Sequence, residues 1–76
     1  MQSSIHQRIH ECEALADATY GGERERYLAE AEGLKEVAAG QAANTSRFTD
    51  KDRQAAYERG RADGKTLLTL NQEGQP

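Results

Sequence analysis

The sequence predicts an all-α protein: an antiparallel helical hairpin joined to a third helix, with a frayed C-terminal tail. Three observations lead there. Apolar residues recur at spacings of three and four along two stretches, paired glycines separate those stretches, and no segment alternates with the period of two that a half-buried strand requires.

The first helix is expected to begin at Ser4, whose side-chain oxygen can cap a backbone N–H while Gln7 sits three residues on, as in a capping box. Ile5, Ile9, Cys12, Ala16 and Thr19 then form one stripe, which Leu15 widens. Tyr20-Gly21-Gly22 interrupts it, because glycine is a poor helix former and readily adopts the left-handed turn. A tight turn here would send the next helix back antiparallel, with a continuous, weakened helix through the glycines as the lesser alternative. That second helix is predicted over Glu23 to Ala39, with Tyr27, Ala31, Leu34 and Ala38 as its stripe and Leu28 beside them. Glu23 and Glu25 suit the positive end of its dipole, and Gly40 suits the position past its end. Gly33, inside it, implies a bend or a close neighbour.

Residues 41 to 48 have no period and read as a connecting loop. A third helix starts after Thr49, where Thr49 and Asp52 repeat the capping-box spacing, and extends toward Leu68. Gly60 and Gly64 are its weak points, costing roughly 2 kcal/mol together in a helix interior, and an end at either is an open alternative. Residues 1–70 are thus expected to form a single helical domain and residues 71–76, with Gly74 and Pro76, a flexible tail.

A chain of 76 residues makes one domain at most. After Met1 the large aliphatic residues and Phe number only ten, so a thin core is expected to gain stability by dimerising or by docking on a partner. Cys12, the single cysteine, cannot form an intramolecular disulfide; no apolar run approaches the roughly 20 residues that span a bilayer. The opening Met1 to His6 has neither the basic nor the long apolar region of a signal peptide, and a cytoplasmic location is expected. Charge is uneven: residues 1 to 46 hold four Lys or Arg against eight Asp or Glu, whereas residues 47 to 65 hold six basic residues against four acidic ones. Either these are solvated helix faces, or an acidic hairpin meets a basic partner while the third segment is held elsewhere.

Candidate chemistry is sparse. His6, His10, Glu13 and Asp17 share one face of the first helix, and two imidazoles one turn apart can bind zinc or nickel, but any polar helix face offers that spacing. Cys12 reads as a small buried residue of the apolar stripe, because His10 lies about 200° around the helix from it. Gly21-Gly22 lacks the Lys-Ser or Lys-Thr of a phosphate-binding loop. No catalytic residue, metal or cofactor is assigned, and an enzyme is not expected.

The most informative segment is Ala55 to Lys65. Ala56, Gly60 and Gly64, spaced by four, would make a groove without side chains if the helix persists, with Tyr57 at its edge. The stretch Ala56-Tyr57-Glu58-Arg59-Gly60-Arg61-Ala62-Asp63-Gly64 resembles the glycine-spaced helix of ribosome modulation factors and of many small phage and prophage open reading frames. The likeness covers nine residues, and the strong basic charge of those factors is absent, so ribosome binding is not carried over. In size and style the chain also resembles the short accessory proteins of bacteriophages, which often inhibit a host enzyme, regulator or defence complex by direct binding; no diagnostic motif accompanies that likeness.

The function expected is therefore that of a small protein-binding module, an inhibitor or adaptor acting on a larger host protein. Tyr27, Leu28 and Leu34 are its candidate apolar seam, Glu25 and Glu30 its acidic face, and Tyr57, Gly60 and Gly64 its groove. One alternative is a self-assembling helical module in which two hairpins pair through Ile5, Ile9, Leu28 and Leu34. A second is a nucleic-acid-binding regulator using the basic residues of the third helix, opposed by the interleaved Asp50, Asp52, Glu58 and Asp63.

Overall fold

Ser4–Ala18 form α1, and the stripe Ile5, Ile9, Cys12 and Ala16 is buried along its length. The protein is described by a computed structural model over residues 4–73, with side-chain surroundings over residues 4–69. Thr19 stands just past the helix, its hydroxyl donating to the Leu15 carbonyl at 2.9 Å, and Leu15 itself points outward. The turn depends on Gly21, whose φ of 71° and ψ of −142° lie where only glycine rests without strain.

Gly22–Ala38 form α2. Its buried residues are Ala29, Ala31, Gly33, Leu34 and Val37, so the predicted stripe is right at Ala31 and Leu34 and wrong at its flanks. Tyr27 is half-buried, while Leu28 and Ala38 are exposed. The physical reason is that α2 is covered on two sides. Ala31, Leu34 and Val37 join Ile5, Ile9 and Cys12 in one cluster, with Leu67 and Leu68 against it, whereas Ala29 joins Ala56, Tyr57 and Phe48 in another. Gly40 closes the helix in the left-handed conformation, with its N–H on the Val37 carbonyl at 3.0 Å and that of Gln41 on the Glu36 carbonyl at 2.8 Å.

Lys51–Glu73 form α3, which passes through both Gly60 and Gly64 and runs three residues into the segment expected as tail; residues 74–76 lie outside the described residues. Its N-terminus is capped by Asp50, whose Oδ1 accepts the Asp52 N–H at 3.3 Å, in place of the predicted Thr49. The glycines persist because α2 crosses α3 there at backbone contact. A Cβ on Gly60 would lie 2.1 Å from the Glu30 carbonyl oxygen, and one on Gly33 would lie 2.2 Å from that of Tyr57.

Helix direction follows from the ion pairs. Glu25, Glu30 and Glu36 of α2 meet Arg53, Arg59 and Arg61 of α3 in the same order, so the two helices run the same way. The chain must therefore return along their length, and residues 39–50 form that return as a strap. Asn44 Oδ1 turns it by accepting the Ser46 N–H at 3.0 Å, and Gln54 holds it by accepting the Phe48 N–H at 2.9 Å and donating to the Asn44 carbonyl at 3.1 Å. α1 meets α3 far less, where Arg8 Nε donates to Asp63 Oδ2 at 3.2 Å and Ile5 packs near Gly64. There is no strand among the described residues, and none of their helices is long and apolar enough to cross a membrane.

Candidate functional site

The uneven charge of the chain is satisfied largely inside it. Glu25 pairs with Arg53, Glu30 with Arg59 at 4.0 Å, Glu32 with Arg47 at 3.7 Å and Glu36 with Arg61 at 2.9 Å. The basic third segment is thus not held elsewhere: it lies on the acidic helix, and the acidic face expected for a partner is met by the chain's own arginines. Lys35 of α2 similarly donates to Glu13 of α1 at 2.8 Å, which holds that carboxyl below its ordinary range and the ammonium above its own.

One pair sits in a buried network. Arg61 is 7% exposed, and its Nη1 reaches Glu36 Oε1 while its Nη2 donates to the Gln41 carbonyl at 2.8 Å. The Tyr57 hydroxyl donates to the same Glu36 oxygen and accepts the Asn44 N–H at 3.1 Å. α2, the strap and α3 are joined at this point.

The predicted partner residues separate accordingly. Leu34, Tyr57, Gly60 and Gly64 are buried, and the groove of Gly60 and Gly64 is filled by α2 together with Ile5 of α1, so these four pack within the fold. Ile5, Ile9 and Leu34 are likewise in the core of the single chain, which leaves Leu28 as the exposed member of the self-association set. Glu30 is half-buried and accepts the Cys12 thiol at 3.2 Å. Tyr27 is half-buried at a cavity of about 210 Å³ shared with Glu23, Arg26, Glu30 and Arg59.

Glu25 and Leu28 remain at the surface, and with residues not singled out above they line a groove of about 190 Å³. Its floor is Leu28, Ala29 and Phe48; one end is closed by the Glu25–Arg53 pair and the other by the Glu32–Arg47 pair. Arg47 lies 4.9 Å over the Phe48 ring, which meets Tyr57 edge-on at 5.7 Å between centroids. Arg53 Nε is buried without a hydrogen-bond acceptor, with Asp50 Oδ2 3.7 Å away. Glu25, Leu28 and Glu32 follow spacings of three and four, and that outward stripe was the available signal for this face. Away from it, Tyr20 is 87% exposed beside the α1–α2 turn, with Leu15 43% exposed one turn earlier.

The reactive groups are placed differently. Burial, and the Glu30 carboxylate that accepts its proton, push the Cys12 thiol up to about 12. The neutral thiol is therefore favoured by folding. Its contribution to stability is present below the ordinary pKa of 9.0 and is lost as pH rises toward 12. A disulfide reagent at mildly alkaline pH should label native Cys12 at least about a hundredfold more slowly than the urea-unfolded chain; equal rates would show the thiol to be accessible and ionised. His6 and His10 are exposed on α1, and among the described residues no three His, Cys, Asp or Glu side chains converge to hold a metal ion.

No protein-family model matches the sequence, and no curated protein or solved structure matches it either.

Proposed function

We propose that the chain is a small protein-binding module that acts on a larger protein by direct binding, as an inhibitor or adaptor of the kind bacteriophages carry. The observation that carries this reading is Tyr20, an aromatic side chain left 87% exposed beside a glycine-fixed turn in a protein with very few large apolar residues. Exposed aromatics held on a rigid support are the usual anchors of protein interfaces, since they offer large contact area with little entropy to lose. Arg24 and Arg26, near the start of α2, form no ion pair among the described residues and supply a charged rim beside this tip.

The reading assigns the chain no catalysis. Cys12 is buried and protonated, and His6 and His10 are exposed on α1. Arg47, Arg53, Arg59 and Arg61, which a nucleic-acid regulator would turn toward phosphates, face the glutamates of α2. A cytoplasmic setting accords with a lone buried thiol.

The test is a tagged pull-down of the full chain from nuclease-treated bacterial lysate, read by mass spectrometry and repeated with Tyr20→Ala. The wild type should retain one stoichiometric protein, and the variant should bind it about 30-fold more weakly, as loss of an interface anchor does. Because Tyr20 contacts little, the variant should keep the wild-type melting curve. Recovery of the bait alone, or capture indifferent to Tyr20, would remove the reading.

A further inference from the structure

We propose that the groove between Leu28 and Phe48 is a homodimer surface, in which two copies of the chain pair face to face about a two-fold axis running along the groove, parallel to α2. The argument begins with the order of charges. Both acids of the groove, Glu25 and Glu32, stand on α2, and both guanidiniums, Arg53 and Arg47, stand across from them on α3 and the strap. The apolar floor lies between an acidic edge and a basic edge.

Rotation by 180° about an axis along the groove exchanges those edges. The Glu25 edge of one copy then faces Arg53 of the other, and Glu32 faces Arg47. At each end the carboxylate of one copy then faces the guanidinium of the other, with Asp50 flanking Arg53 at 3.7 Å and the largely covered Glu36 flanking Arg47 at 3.7 Å. A two-fold interface must be complementary to itself, and this arrangement is. An axis across the groove would set acid against acid, so the pattern selects one geometry.

The apolar contacts agree with it. Leu28 is 42% exposed on the α2 side and Phe48 is half-buried on the other, so the same rotation lays each Leu28 over the other copy's Phe48. A cavity of roughly 150 Å³ holds a benzene ring; the groove, at about 190 Å³, has room for one large side chain. The patch is small against the roughly 1,200–2,000 Å² of a standard interface, so the dimer should be weak, with a Kd of roughly 100 μM order. With the axis parallel to α2, both Tyr20 tips emerge at the same end of the dimer, which would let one assembly grip a two-site partner with raised avidity.

The pairing is separate from the Tyr20 contact, and its test needs no partner. Sedimentation of the purified full chain from low micromolar to near-millimolar concentration should show the monomer converting to twice its mass. Leu28→Glu, a surface change that keeps helix propensity, should abolish the conversion without lowering the melting temperature. Glu32→Arg and Arg47→Glu should each be monomeric alone, because each sets like charges opposite one another. Mixed together they should form a heterodimer, and the doubly exchanged chain should dimerise again. A wild type monomeric throughout, or a dimer indifferent to both Leu28→Glu and the charge exchange, would overturn the proposal and return the groove to a foreign partner.

Discussion

Gly60→Ala should lower the melting temperature by on the order of 15 °C or more, although alanine is the better helix former. Helix propensity alone would favour the substitution by about 1 kcal/mol. Against it stands a new Cβ 2.1 Å from the Glu30 carbonyl oxygen and 2.9 Å from its carbon, and neither belongs to a side chain that can turn away. Relief requires α2 and α3 to separate, which opens the packing of Ala29, Ala56 and Tyr57. Overpacking costs typically 1–3 kcal/mol and more where backbone must move, so a net loss of about 3 kcal/mol is expected. A chain of this length has only about 4–11 kcal/mol to lose, and each 1 kcal/mol shifts the midpoint by roughly 4–8 °C. Gly33→Ala meets the Tyr57 carbonyl at 2.2 Å and should behave alike. Gly64→Ala meets only side-chain atoms of Ile5 and Val37 at 3.1 to 3.2 Å and should stay within about 1 kcal/mol of wild type. Thermal melts of the three variants check the order; a Gly60→Ala protein no less stable than Gly64→Ala would mean that the helices do not cross at backbone contact.

The same crossing explains which parts of the fold could be read from the residues. α1 was legible because it is buried on one side, so Ile5, Ile9, Cys12 and Ala16 make one uninterrupted stripe. α2 is buried on two sides, and the side toward α3 is built from Ala29 and Gly33, residues whose burial leaves no hydrophobic period to detect. Local propensity leaves an end at Gly60 or Gly64 open beside a helix reaching Leu68, and tertiary contact carries the helix through both glycines. The capping residue was misplaced by one because Thr49 and Asp50 both carry a suitable oxygen, and only the start of α3 decides between them.

For the candidate site the division is similar. The charge asymmetry was visible, but its resolution depended on the direction of α3, which no local pattern encodes. Glu25 and Arg53 meet across 28 positions of sequence and Glu36 and Arg61 across 25, through a strap that returns the chain to run α3 alongside α2. Leu28 and Glu25 were identified from their helix face, whereas Phe48 and Arg47 sat in a segment read as loop. Tyr20 was recognised only as part of a helix break; its exposure is a consequence of where the turn points.

Arg61→Ala should be the other severe substitution, at about 3 kcal/mol, because it removes the closest cation from the half-buried Glu36 carboxylate, which keeps the Tyr57 hydroxyl and an Arg47 guanidinium 3.7 Å away, while water can reach the exposed Gln41. Tyr57→Phe keeps the ring and its edge-on contact with Phe48 and removes only the hydroxyl, so it should cost about 1–3 kcal/mol, the penalty of stranding the Asn44 N–H and one Glu36 bond. A buried ion pair need not be stabilising in itself, and replacing both charges by apolar groups often recovers what a single deletion loses. Glu36→Leu combined with Arg61→Met should therefore be more stable than either change alone, a non-additivity that urea denaturation of the cycle would measure. Additive losses would mean that the two side chains act independently. The network also holds the strap that carries Arg47 and Phe48, so in Tyr57→Phe trypsin should cut after Arg47 faster than in the wild type, and the Leu28 groove should loosen with it. Retained dimerisation alongside a cleavable strap would show that the groove does not need the strap in place, and the proposed charge pairing at its Arg47 end would then be wrong.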